Sequence, residues 1–234
     1  MELLTITPQL LAMGIPQVEN IIDKLPNHPT KRYAQRSMES VDTWIMHHTA
    51  SEAPLINQAL FHVNSRGWAR IGYSIMIVDG SRIVQTNYLD AEAVHCAGWN
   101  HRSMGVCVLG DLSKRQLTAR ERELLLAVFV SLNAMYPGRQ IKGHGECKPT
   151  SCPVISMPKL RSDIMATEMQ LEQAESAPKK EEIAYRMANH ILWLQNMSRG
   201  KKSDGTPATD AQKVWALDEL MKMKPEFDRL GFLK

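Results

Sequence analysis

Between residues 40 and 111 the apolar positions alternate between two periods. "VDTWIMHHT" (41–49) is a short apolar run ending in His47 and His48, the pattern of a buried strand. "APLINQALFHVNSRGW" (53–68) has helical spacing at Leu55, Ala59, Leu60 and Val63, with Gly67 as its stop. "YSIMIVDGSRIVQT" (73–86) reads as two strands around Asp79-Gly80, a hairpin signal because both residues tolerate positive φ. "SMGVCVLGD" (103–111) predicts a further buried strand. Helical period returns in "TARERELLLAVFVSLNAMY" (118–136), where Thr118 can cap and Leu125, Val128, Phe129, Leu132 and Met135 form one apolar face that ends at Pro137-Gly138. The next stretch, "GHGECKPTSCPV" (143–154), has no period and predicts an irregular loop. Strands mixed with helices predict an α/β layer with helices packed on a sheet.

From about residue 165 the pattern becomes purely helical. Ile183, Met187, Ile191 and Leu194 share one helical face, and Thr209 with Gln212 forms a T-x-x-Q capping box ahead of Val214, Leu217 and Met221. The chain therefore divides into a domain at 1–164, with its motifs at about 30–164, and a small all-α region at 165–234. That region is either a buttress or a targeting element, the second favoured by Trp193, Trp215 and Phe227, whose aromatic rings can stack on flat faces such as those of sugars.

Composition narrows the class. The 234 residues are 44% hydrophobic and 23% charged, enough for one cored domain and an appendage. Net charge is +3; residues 165–234 hold 11 basic and 11 acidic side chains, leaving 17 against 14 in residues 1–164. This mild excess suits an anionic polymer surface and falls short of a nucleic-acid arm, so no nucleic-acid partner is expected. "MELLTITPQLLAMGIPQ" lacks a basic n-region, and no run of apolar residues is long enough to span a bilayer, which predicts synthesis in the cytoplasm without a signal peptide. The four cysteines are expected as thiols.

Three elements end in metal-capable groups: His47-His48, His95-Cys96, and His144 with Cys147 and Cys152. With both of these last cysteines, a zinc site closes on four protein ligands and is structural; with one, a position stays open for water. Each histidine taken singly is as readily a hydrogen-bonded core residue.

"WIMHHTA", "FHVNSRGW", "IGYSIMIVDG", "VHCAGWNHRSMGVCVLGD" and "GHGECKPTSCP" resemble, in order and spacing, the zinc-dependent N-acetylmuramoyl-L-alanine amidases, the group of phage lysozyme-amidases and peptidoglycan recognition proteins. The resemblance implies a mixed central sheet flanked by helices. It makes His47, His144 and Cys152 ligands of Zn2+, leaves His48 in a supporting role, and places Tyr73 at the zinc water. Thr150 stands where the family carries Lys or Thr, as an oxyanion donor, and Glu146 at an acidic position that orients a zinc histidine or carries a proton. His95, Trp99 and Asn100 would line the substrate groove, Asn100 organising the loop and His95 facing the muropeptide. "GYSI" at 72–75, where the family usually has GYHF, departs from the pattern.

The activity implied is peptidoglycan hydrolysis of the phage endolysin kind, cutting the amide between N-acetylmuramic acid and L-alanine by zinc-activated water, with a leaving amine protonated by Tyr73 or Glu146. The partner is the muropeptide, the favoured state a monomer, and the place of action the cell wall after release. Rival readings are a cytosolic wall-recycling amidase, a non-catalytic peptidoglycan-binding receptor, and a cysteine hydrolase built on Cys96 or Cys147.

Overall fold

A computed structural model describes residues 1–5, 7–15, 18–176, 180–200, 202 and 206–230; the side chains of 174–176, 180–188 and 223–230 lie outside that description, as does that of Phe227 with them. The chain divides into two compact units, Met1–Leu171 and Glu172–Lys234. The division falls later than residue 164, inside a helix.

The first unit is built on six strands: β1 (Glu19–Asn20), β2 (Thr43–His48), β3 (Ile75–Val78), β4 (Arg82–Gln85), β5 (Ser103–Val108) and β6 (Gln140–Gly143). Their order is β1-β4-β3-β5-β2-β6, with β3 and β4 antiparallel and every other neighbouring pair parallel. The β3–β4 hairpin turns through Asp79, Gly80 and Ser81; Asp79 and Gly80, with φ of 52° and 64°, are the central residues of the turn that Ser81 N–H closes onto Val78 O at 3.2 Å. β1 and β6 are two and four residues long, below what an apolar run can announce.

The helices of this unit are α1 (Pro8–Ala12), α2 (Leu55–Leu60), α3 (Ala119–Met135), α4 (His144–Cys147) and α5 (Met157–Ser176), which runs to the division and beyond it. β2 and β5 are buried at every position, because side chains pointing either way from them meet cover. On one face Trp44, Met46, Met104, Val106 and Val108 join Leu125, Val128, Phe129 and Leu132 of α3 and Leu160 and Ile164 of α5 in one hydrophobic core. Thr118 and Glu121 cap α3 reciprocally at 3.1 and 2.8 Å, and Arg115 grips the same buried Glu121 carboxylate at 2.7 and 2.8 Å. On the other face Ile71, Met76, Val78, Val84, Cys107 and Ala59 form a smaller cluster.

The helix expected at 53–67 is regular only to Leu60. Residues Phe61–Ser65 form a π turn, which shifts the buried side. Ala59 and Val63 are buried as expected, whereas Leu60 is exposed and His62 is buried instead.

The second unit contains α6 (Lys180–Ser198) and α7 (Asp210–Leu230) packed on each other. The predicted capping box is present: Thr209 N–H donates to Gln212 Oε1 at 3.0 Å, and Gln212 N–H donates to Thr209 Oγ1 at 3.3 Å. Leu194 and Ala216 are fully buried, and Trp193 meets Trp215 edge to face at 6.1 Å. Both rings stay half-buried, each with surface left open. Val214, Leu217 and Met221, expected as the packed stripe of α7, are exposed instead, because Trp215 and Ala216 occupy the inward positions. Ile183 and Met187 lie outside the described side chains. No helix among the described residues is long and apolar enough to cross a membrane.

Candidate metal centre

β2 alternates Trp44 and Met46 onto the α3 face and Ile45 and His47 onto the other. Its register sets His47 level with Cys107 of β5, and Met46 level with Gly143, the last residue of β6. His144 therefore emerges beside His47, at the carboxyl ends of adjacent parallel strands, where side chains beyond a sheet converge. The two rings lie 4.6 Å apart between centroids.

The stretch 143–154 is more ordered than its sequence predicts. Gly143 N–H donates to Glu146 Oε2 at 2.9 Å, starting the one-turn helix α4, and Gly145 N–H donates to Cys152 O at 2.7 Å, folding the loop back on itself. A Cβ on Gly145 would sit 2.6 Å from Thr150 O, so only glycine lets the two arms close. This closure brings Cys152 Sγ to 3.8 Å from His47 Nδ1. Among the described residues, His47, His144 and Cys152 hold their ligand atoms within 4.8 Å of one another, the expected set and a span one ion can bridge. Cys147, three residues from His144 on α4, is not part of this cluster.

Hydrogen bonding fixes which nitrogen of His47 faces the centre. His95 Nε2 lies 3.3 Å from Ser103 O, an acceptor only, so that nitrogen carries the proton. His95 Nδ1 is then the acceptor for His47 Nε2–H at 3.0 Å, and His47 Nδ1 presents its lone pair toward Cys152. Burial, followed by the neighbouring His95, His144 and His48 rings, drives the His47 pKa well down, keeping the ring neutral with a lone pair to offer. Burial, and then Lys148, also lowers His144. The Cys152 thiol is pushed up to about 11 by burial, so a thiolate there calls for a cation beside it. Two neutral imidazoles and a sulfur in this arrangement fit zinc.

His48 points to the opposite face, where its Nδ1 accepts from Leu112 N–H at 3.0 Å. The Tyr73 ring lies 5.2 Å from that of His47 and 5.7 Å from that of His62. Burial raises the Tyr73 pKa well above its usual value, holding the phenol as an O–H donor. His62 Nδ1 accepts from Gly72 N–H at 3.1 Å and its ring packs on Trp68 at 4.6 Å, a support for Tyr73 that helical spacing hides. Thr150 Oγ1 accepts from Cys152 N–H at 3.3 Å, leaving its own hydrogen to donate.

Two expected positions differ. Glu146 does not face a histidine: Arg161 of α5 holds its carboxylate at 2.9 and 3.1 Å, and this partner, with the Gly143 amide, depresses its pKa. A carboxylate so held positions the loop and is a poor proton carrier. His95 does not face a groove: it is 8% exposed and lies beneath His47, over Gly105, where a Cβ would meet its ring at 3.0 Å. Asn100 does organise its loop, its Oδ1 accepting from the His95 and Cys96 amides at 3.1 and 2.8 Å. The Trp99 ring lies 4.8 Å from Lys142 Nζ and 5.2 Å from the Arg102 guanidinium.

Residues 37–154 match the sequence profile described as N-acetylmuramoyl-L-alanine amidase, over half of the chain. The chain belongs to that family. Among curated relatives of this amidase-family chain, peptidoglycan-recognition protein SC2 of Drosophila simulans is 28% identical over 121 residues, 47% of this chain and 66% of the relative. The endolysin of Escherichia phage T7 is 27% identical over 127 residues, 50% of this chain and 83% of the endolysin. Among solved structures, the Ph2119 endolysin from the Thermus scotoductus MAT2119 bacteriophage has the same fold, with a TM-score of 0.54 and 24% identity over 62% of this chain and 97% of that one. Bumblebee PGRP-SA shares it at a TM-score of 0.52 and 20% identity, over 59% and 89%.

Proposed function

We propose that the chain is a peptidoglycan hydrolase of the endolysin type that cuts the amide between N-acetylmuramic acid and L-alanine, with a zinc ion held by His47, His144 and Cys152. The observation carrying this reading is the convergence of those three ligand atoms within 4.8 Å with the Tyr73 ring beside them. Zinc, when bound by three protein ligands, supplies Lewis acidity and lowers the pKa of water toward about 7.

The residues of the chain do the rest. The Ser103–His95–His47 chain of hydrogen bonds holds the His47 lone pair in place. Tyr73, kept protonated by burial, donates to oxygen at the scissile carbon and relays a proton, passing its own to the leaving amine as it takes up the one the attacking water gives up; Glu146 is committed to Arg161. Thr150 O–H is a neutral donor for the developing oxyanion. Trp99, the cations against it, and the loop ordered by Asn100 form the muropeptide side of the site.

A non-catalytic receptor is disfavoured because all three ligand positions are filled and converge. A cysteine hydrolase is disfavoured because Cys96 is buried, and because burial pushes the thiol pKa of both Cys96 and Cys147 up, away from the reactive thiolate. Endolysin relatives favour action on intact wall over recycling. The test compares Cys152→Ser with Cys147→Ser. The first should lose zinc and hydrolysis of purified cell walls, and the second should keep most of both; zinc loss from Cys147→Ser alone would overturn the ligand set.

A further inference from the structure

Beside the metal centre stands a cation with no anion paired to it. Lys142 is on β6, the edge strand of the sheet, and its register opposite Ile45 puts its side chain on the His47 face. His144 follows two residues on, about 7 Å of extended chain away and within reach of a flexible four-carbon stem. Lys142 is half-buried, its ammonium lies 4.8 Å from the Trp99 ring, and it has no ion pair or hydrogen bond among the described residues. The carboxylates of the adjoining elements are already engaged: Arg161 holds Glu146 at 2.9 and 3.1 Å, and Arg102 holds Asp42 at 2.9 and 3.1 Å.

Trp99 is a fixed platform. Its N–H donates to Cys96 O at 2.9 Å, and its carbonyl accepts from Arg102 N–H at 3.0 Å and from Ser103 Oγ at 2.7 Å. The electron-rich ring holds the ammonium in place and leaves its charge unpaired. A half-buried charge of this kind is complemented by an anion on the ligand. In a muropeptide the glycan carries no charge beside the bond to be cut. The stem peptide does: its second residue, the γ-linked D-glutamate after L-alanine, has an α-carboxylate that some walls leave free and others amidate. Charge complementarity therefore assigns Lys142 to the peptide side of the site.

We propose that Lys142, resting on Trp99, is the specificity-determining residue that pairs with this free α-carboxylate and turns the enzyme toward walls whose stems are acidic at the second position. The proposal rests on the amidase reading and names the substrate class of that same site. Amidation removes the charge and leaves the rest of the substrate unaltered, so the cation loses its partner and little else changes. The gain lies in binding, and hence in KM, because the carboxylate keeps the same charge while the amide is cut.

The experiment uses the full zinc-loaded chain at low ionic strength and two synthetic substrates, N-acetylmuramoyl-L-alanyl-D-glutamate γ-methylamides with the α-carboxylate free or amidated. Hydrolysis of the acid should have a kcat/KM about tenfold above that of the amide, carried by KM, and the preference should shrink on adding salt. The two released peptides, which lack the scissile bond, should bind in the same order when titrated by calorimetry. Lys142→Met keeps an apolar stem against Trp99 without the charge and should treat acid and amide alike, whereas Lys142→Arg should keep the preference. Equal treatment of acid and amide by the wild-type chain overturns the inference, as does a preference that survives in Lys142→Met. A chain that cuts both substrates at one rate leaves the amidase reading standing without this inference. If neither substrate is cut, peptide binding decides: tighter binding of the acid through Lys142 sustains the inference while the amidase reading falls, and equal or absent binding overturns it.

Discussion

The two faces of the central sheet are made from the same strands and do opposite work. Toward α3 and α5, β2 and β5 present Trp44, Met46, Met104, Val106 and Val108 to Leu125 and Phe129, a face closed by hydrocarbon. Toward α2 they present His47 and Cys107, with Tyr73 and His62 packed above. The stabilising face supplies burial, and the other spends it by holding imidazoles and a phenol out of water in fixed orientations. A substitution should therefore damage stability or chemistry according to the face it lies on, even between adjacent residues such as Met46 and His47.

The largest test of this separation is Phe129→Ala. Deleting a fully buried ring should cost about 4 kcal/mol in chemical denaturation while zinc stoichiometry of the folded protein is unchanged. Next comes His62, whose pKa burial lowers to about 4, Arg66 adding to the effect, against about 6.5 unfolded. The unfolded chain takes up this proton first as pH falls, so stability should drop between pH 6.5 and about 4, by roughly 3 kcal/mol from this residue. His62→Gln, with an amide oxygen to accept from Gly72 N–H, should flatten that part of the curve; an equal slope in both proteins would assign the loss elsewhere.

Tyr73→Phe should leave zinc content intact and lower kcat by roughly a hundredfold, because only a donor used during reaction is lost. A changed metal content with normal kcat would contradict its role. The smallest effect expected is that of Gly105→Ala. The added methyl presses on the His95 ring at 3.0 Å, and because His95 orients His47, zinc affinity measured by competition should weaken by about tenfold with the core undisturbed.

Patterning made the long elements legible: β2, the β3–β4 hairpin, β5 and α3 each carry a full period, and Thr118 marks its cap. β1 and β6 carry too few residues for a period, and β6 matters because its end sets His144 beside His47. The π turn at 61–65 breaks the spacing that a helical reading extrapolates, which is why His62 was invisible. Resemblance singled out the ligand trio that the fold brings together. It misjudged Glu146, whose partner Arg161 stands fifteen residues on, and His95, whose neighbours come from β2 and β5. Both lapses share a cause. A motif identifies a position in a loop, and the side chain's task depends on what another segment sets against it.

Gly145 has a bearing on how such enzymes diversify. No larger residue fits between the two arms of the His144–Cys152 turn, so the spacing from histidine to cysteine and the glycine next to the histidine must be inherited together. In a library of single substitutions this position should look as intolerant as a ligand, though its side chain is a hydrogen atom and touches neither metal nor wall. Insertions that retune the loop would become accessible only in lineages that first rebuild the turn.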